Sequence, residues 1–197
     1  MEIRKLHDHE IKDFYSKHIQ RDFPIFELRP LANIMGLLKE DLYVCYGYFN
    51  DENLLAYACL ANTPELPYAL LDYFAVVPNQ RSNGLGGLFL QKLKDILPYE
   101  GLFIEAEAPE KVKDLDEQKL RFRRIDFYKR NGVILTNVKG PLFGTYFLIL
   151  YFPLTEKAAT DEQILQGIMS IYRKITPALL FKLFVNYKIK TGVSINE

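Results

Sequence analysis

The chain has 197 residues, enough for one domain with a sizeable core, and its 49% hydrophobic content is that of an ordinary globular protein. Its 25 basic and 25 acidic side chains cancel, so no global field recruits nucleic acid or an anionic membrane. No run of about twenty apolar residues is available to span a bilayer, and the start Met1-Glu-Ile-Arg-Lys-Leu-His7 lacks a signal-peptide apolar core, which points to a cytoplasmic protein.

In chain order, Ile3 to Leu6 reads as a short strand, and His9 to Gln20 places Ile11, Phe14, Tyr15 and Ile19 at helical spacing. Arg21 to Pro30 carries two prolines and reads as a loop; Leu31 to Leu38 suits a helix after Pro30. Leu42 to Phe49 and Leu54 to Leu60 are strand-like runs around Asn50-Asp-Glu-Asn53, hence a hairpin. Their cysteines, Cys45 and Cys59, read as free buried thiols. Ala69 to Val77 is a further strand. Leu85 to Leu97 follows as a helix with one apolar stripe that Pro98 stops. Leu102 to Glu107 is the next strand, and the order strand, helix, strand implies a crossover between parallel neighbours. Glu117 to Arg130 is helical, with Asn131-Gly132 as its stop. Val133 to Val138 and Phe143 to Phe152 read as two strands turning at Lys139-Gly-Pro141. Beyond Pro153, Thr160-Asp-Glu-Gln163 is a capping-box start for a helix to about Arg173, and Pro177 opens another to about Lys188.

One stretch carries the most chemistry. The strand ending at Pro78 runs into Arg81-Ser-Asn-Gly-Leu-Gly-Gly87, where a helix begins at once. Glycines let a backbone approach a ligand closely, and the amides of a helix start bind anions, so strand, turn and helix together form a pyrophosphate cradle. The turn does not match the dinucleotide Gly-x-Gly-x-x-Gly, because position 89 is Phe, and the Gly-Lys-Ser/Thr of a P-loop is missing. His7, His9 and His18 have no third ligand at usable spacing, so no metal is expected.

Val76-x-Pro78-x-x-Arg81-x-x-Gly84-Leu85-Gly86-Gly87-x-x-Leu90 resembles the acetyl-CoA motif of the GCN5-related N-acetyltransferase superfamily. Downstream, Phe127-Tyr-Lys-Arg-Asn-Gly-Val133 is similar to that family's helix-end signature. The resemblance implies an α/β fold with a mixed, mostly antiparallel sheet flanked by helices. It covers residues 1–153, leaving 154–197 as a C-terminal helical extension packed on the domain or on a partner, with a homodimer left open.

The resemblance also assigns roles. Backbone groups of Phe74, Ala75 and Val76 would pair with the pantetheine arm of acetyl-CoA. Amides of Ser82, Asn83, Gly84, Leu85, Gly86 and Gly87 would wrap the pyrophosphate, with Arg81 bracing the turn or touching phosphate. The family reaction is direct transfer of acetyl from acetyl-CoA to a primary amine of a small molecule or peptide, without metal. Tyr128 stands at the general-acid position. Glu105, on the strand beside the cofactor, best matches the base, with Glu107 close behind on the same side of the strand. Their other reading is a salt bridge to the arginine-rich helix. Arg121 replaces an Asn often found seven residues before the Tyr, and could reach a CoA phosphate or an acidic substrate. The segment holding Phe23, Phe26 and Glu27 lies where the family builds its acceptor pocket, and its rings and carboxylates suit a cationic amine. A non-catalytic acyl-CoA-binding module is the alternative. The apolar, basic stretch Pro177 to Lys190 is expected to pack on the domain rather than on a membrane.

Overall fold

A computed structural model describes residues 1–190; the last residues of the expected extension lie outside the described ones. Eight strands in the order β1-β2-β3-β4-β5-β7-β6-β8, with helices between them, make the mixed, mostly antiparallel α/β architecture that the resemblance implies. The chain forms two compact units, one of Met1–Pro64 with Leu71–Ile96, the other of Glu65–Leu70 with Leu97 onward.

In the first unit, β1 (Glu2–Lys5) pairs antiparallel with β2 (Tyr43–Asn50), which forms a hairpin with β3 (Asn53–Asn62) across Asp51-Glu52. Cys45 and Cys59 face one another across that hairpin as free, buried thiols. Between β1 and β2, α1 (Asp8–Phe14) continues through a π-helical turn, Tyr15–Ile19, into α2 (Gln20–Asp22). The apolar spacing set the inward face correctly, because Ile11, Phe14, Tyr15 and Ile19 are all buried. The expected loop is shorter than the sequence suggested: Arg21 and Asp22 stay helical, and Ile25–Glu27 forms a 3-10 turn before α3 (Leu31–Lys39). β4 (Tyr68–Val76) then leads to α4 (Leu85–Ile96). Phe89 of α4 stacks between Tyr48 of β2 and Phe74 of β4, with ring centroids 5.5 and 5.6 Å apart, which fixes the helix on the strands.

In the second unit, β5 (Gly101–Glu107) pairs antiparallel with β7 (Thr145–Pro153), and β7 with β6 (Ile134–Leu142). The β6–β7 turn is not at Lys139-Gly-Pro141. Those residues lie inside β6, where Pro141 faces Tyr146, and the chain reverses at Phe143-Gly144 instead. Both turn residues have positive φ, 46° and 89°, the conformation whose twist suits a two-residue hairpin. Helix α5 (Leu115–Arg130) starts where the Asp114 carboxylate accepts from the amides of Asp116 and Glu117, and stops before Gly132, whose φ is 83°.

The segment after β7 holds α6 (Asp161–Ile175), with the expected Thr160–Gln163 capping box, and α7 (Ala178–Phe184). It is not purely helical. Helix α7 ends four residues short of the sequence expectation, Val185 bridges to Leu142, and β8 (Lys188–Ile189) pairs with β6. Gly140 permits this close approach, since a Cβ there would stand 2.2 Å from the Asn186 carbonyl oxygen.

Helix α6 meets β5 through Gly167. A Cβ at that position would lie 2.7 Å from the Phe103 ring, which is fully buried and cannot swing away. Gly167→Ala is expected to destabilise the protein by about 1–2 kcal/mol, overpacking outweighing the better helix propensity of alanine. Urea denaturation measures it, and an unchanged or raised midpoint would contradict this packing.

Candidate active site

In the first unit, Phe74, Ala75 and Val76 end β4 half-buried, and Arg81, Ser82, Asn83 and Gly84 form the exposed turn before α4. Ser82 and Gly84 both have positive φ, 68° and 73°. Such kinks turn successive backbone amides toward one side, the geometry that receives an anion. The first helical bond into the turn runs from the Leu88 amide to the Gly84 carbonyl, 3.1 Å. The amides of Leu85, Gly86 and Gly87 therefore fall among the N-terminal donors of the helix. A Cβ at Gly84 would meet nothing within 4 Å, so the turn is open where a phosphate would approach. These residues fit a CoA pyrophosphate.

Arg81 braces this turn. Its Nε donates to the Val76 carbonyl at 2.9 Å and one Nη to Asp22 at 2.9 Å. Asp22, whose side chain is only 2% exposed, also accepts from Arg21 and from the Tyr57 hydroxyl. Burial by itself raises the Asp22 carboxyl, but the bonds from Arg21 and Tyr57 and the nearby charge of Arg81 hold it below the ordinary aspartate range. The sequence assigned Asp22 no role at the turn, because 59 residues separate it from Arg81.

Phe23, Phe26 and Glu27 follow Asp22 directly. Phe23 meets Tyr73 edge-on at 4.7 Å, whereas Phe26 and Glu27 are exposed. The segment is pinned at its far end. The Tyr73 hydroxyl accepts from the Arg29 amide and donates to the Glu27 carbonyl, and the Arg29 guanidinium grips both oxygens of Asp72 on β4. Tyr43 donates to Asp72 as well, at 2.5 Å.

In the second unit, Glu105 and Glu107 point to the same side of β5, as the alternation required, but meet different partners. Glu107 accepts from Arg121 at 3.0 Å and from Arg124 at 3.4 Å, the salt bridge to the arginine-rich helix. Arg121 also binds Glu117 and the Ala108 carbonyl, so its guanidinium is engaged within this unit. Glu105 meets phenols: Tyr172 of α6 donates at 2.8 Å, and Tyr187, just before β8, makes a short bond. Burial, with the Glu105 charge adding to it, pushes the Tyr187 phenol well above its ordinary value. Neither tyrosine was legible as a site residue, since each looks like part of an apolar face.

Tyr128 is buried near the end of α5, packed edge-on against Phe127, and its carbonyl accepts from the Val133 amide past the helix stop. Burial pushes its phenol up to about 12, so at neutral pH it keeps the proton that a donor needs. Among the described residues, no group of three His, Cys, Asp or Glu side chains could hold a metal, and no helix is long and apolar enough to cross a membrane.

The model of the Acetyltransferase (GNAT) family matches residues 3–132. YjbC from Bacillus subtilis (strain 168), provisionally named an acetyltransferase, is 25% identical over 170 residues, covering 83% of this chain and 81% of its own. Among solved structures, a provisionally named GNAT-family acetyltransferase from Bacteroides thetaiotaomicron has a TM-score of 0.70 at 18% identity, over 89% of this chain and 97% of its own. A Vibrio cholerae spermidine N-acetyltransferase, solved with CoA and spermine, has a TM-score of 0.56 at 10% identity, over 78% of this chain and 95% of its own. At these identities the two structures show a shared fold.

The raised Tyr128 phenol has a consequence for stability. A group whose pKa is higher folded than unfolded contributes stability below its ordinary value, here 10, that is lost as pH rises toward about 12. Denaturation free energies measured from pH 9 to 11.5 should fall less steeply in Tyr128→Phe than in the parent chain. Parallel curves would show that the buried phenol does not titrate this way.

Proposed function

The chain belongs to the acetyltransferase (GNAT) family, and we propose that it moves an acetyl group from acetyl-CoA to a primary amine within a ternary complex. The observation that carries the donor assignment is the turn itself, with positive φ at Ser82 and Gly84 leading into the amides of a twelve-residue helix. In this reading Ser82 to Gly87 hold the pyrophosphate, and the backbone of Phe74 to Val76 pairs with the pantetheine arm.

The amine nitrogen attacks the thioester carbonyl carbon, an oxyanion forms, and the carbon–sulfur bond breaks. Tyr128 donates its phenolic proton to the departing thiolate and is reprotonated from solvent. Glu105 receives the proton lost by the amine, directly or through water. The phenols of Tyr172 and Tyr187 keep that carboxylate oriented. Glu107, already paired with two arginines, serves the base role less well. Phe23, Phe26 and Glu27 offer rings and a carboxylate to a cationic acceptor. The spermine bound to the Vibrio cholerae enzyme makes polyamines the first arm of an acceptor panel, with small amines and peptide N-termini as the others.

Acetyl-CoA should raise the melting temperature, and an amine panel monitored by release of free CoA thiol should reveal turnover. With the best acceptor, Tyr128→Phe is expected to lower kcat about 10²-fold at nearly unchanged KM for acetyl-CoA, and Glu105→Gln to remove the acidic limb of the rate–pH profile. Full turnover in Tyr128→Phe would remove that phenol as the acid, and stabilisation by acetyl-CoA without turnover of any amine would favour a non-catalytic acyl-CoA-binding module. No stabilisation by any CoA thioester would remove the donor assignment.

A further inference from the structure

Asp22 is a buried carboxylate that the proposed chemistry leaves unused. It closes α2 with a 2% exposed side chain and accepts from Arg21 Nε at 3.1 Å, Arg21 Nη2 at 2.8 Å, Tyr57 at 2.9 Å and Arg81 at 2.9 Å. Placing a charge out of water is costly unless donors surround it, so this site must hold those donors in fixed positions. One of them, Arg81, is itself half exposed and stands immediately before Ser82. With Nε on the Val76 carbonyl and Nη2 on Asp22, it ties the end of β4 to the end of α2. The next residues, Phe23 to Arg29, leave from Asp22 and are anchored at their other end by Arg29 on Asp72 and by Tyr73. Between the two anchors the chain is exposed at Pro24, Ile25, Phe26 and Glu27, and the internal bonds shown there are those of one 3-10 turn, Glu27 amide to Pro24 carbonyl and Leu28 amide to Ile25 carbonyl.

We propose that Asp22 is a positioning residue that acts through Arg81, and that the Asp22–Arg81 bond couples occupancy of the phosphate turn to ordering of the Phe23–Arg29 segment. An anion seated on the amides after Ser82 draws the turn and Arg81 into one arrangement. Arg81 then holds Asp22, and the segment that starts there loses one end of its freedom. Donor and acceptor binding therefore reinforce one another through a single ion pair, the reciprocity that any such coupling demands. The inference rests on the acetyl-CoA reading of the turn.

CoA is the probe, with affinity measured by calorimetry and amide exchange by mass spectrometry. In the parent chain, CoA is expected to slow exchange at Glu27 and Leu28. Asp22→Asn should weaken CoA about tenfold, within the usual range of coupling effects, and abolish the slowing. Arg81→Gln should do the same, and adding Asp22→Asn to it should weaken CoA no further, because the carboxylate acts through the arginine. Tyr57→Phe removes another donor from the same carboxylate without touching Arg81. It should lower the melting temperature while CoA affinity stays put, which separates positioning from general support. If Asp22→Asn fails to fold, Arg81→Gln decides the question from the exposed end. Additive losses in the double variant, or protection of Glu27 and Leu28 that survives either substitution, would overturn the coupling alone. A parent chain that binds no CoA would bring down the donor reading with it.

Discussion

Carboxylates placed on or beside an apolar sheet must be met by donors, and this requirement arranges much of the molecule. Asp22, Asp72, Glu105 and Glu107 are each met by two or more side-chain donors. Among the described residues no buried side-chain nitrogen or oxygen lacks a hydrogen-bond partner. The donors differ in kind, and the difference matters. Asp72 and Glu107 take arginines, which supply charge and a planar fork, so these pairs act as fixed struts. Glu105 takes the phenols of Tyr172 and Tyr187. Of the two carboxylates on β5, Glu107 is braced to helix α5 by two arginines and Glu105 is held by two phenols.

The glycine-rich turn before α4 is constrained in its backbone in a comparable way. Ser82, a side-chain-bearing residue, accepts a left-handed conformation usually left to glycine. Such a residue holds that conformation only where its surroundings enforce it. Here Arg81 on one side and the start of α4, stacked on the strands through Phe89, on the other supply that enforcement.

Much of this was legible in the chain. Helix and strand periodicities survive because each apolar face is a local pattern, and the candidate turn from Arg81 to Gly87 is contiguous, so its residues could be named together. The errors fall where tertiary contact overrides local signals. Lys139-Gly-Pro141 has turn composition, yet Gly140 is small because the Asn186 backbone lies against it, and Pro141 keeps its carbonyl to accept from Asn186. The helix expected through Lys188 yields after Phe184 to pairing with β6. The partners of the candidate carboxylates were hidden for a different reason. Tyr172 lies 67 residues from Glu105, and Tyr187 lies 82. No spacing rule connects a strand carboxylate to phenols so far away, and each phenol sits among apolar neighbours that mask it.

That separation also bears on how the chain is made. Synthesis runs from the N-terminus, so β5 emerges long before Tyr187, and at roughly 5–20 residues per second the interval is roughly 4–16 s. Throughout it, Glu105 lacks the Tyr187 phenol, and the strand that carries it cannot reach its finished environment. The surroundings of Glu105 are therefore complete only once Tyr187 has been made. A ribosome-bound chain ending before Tyr187 would hold a β5 carboxylate without that phenol.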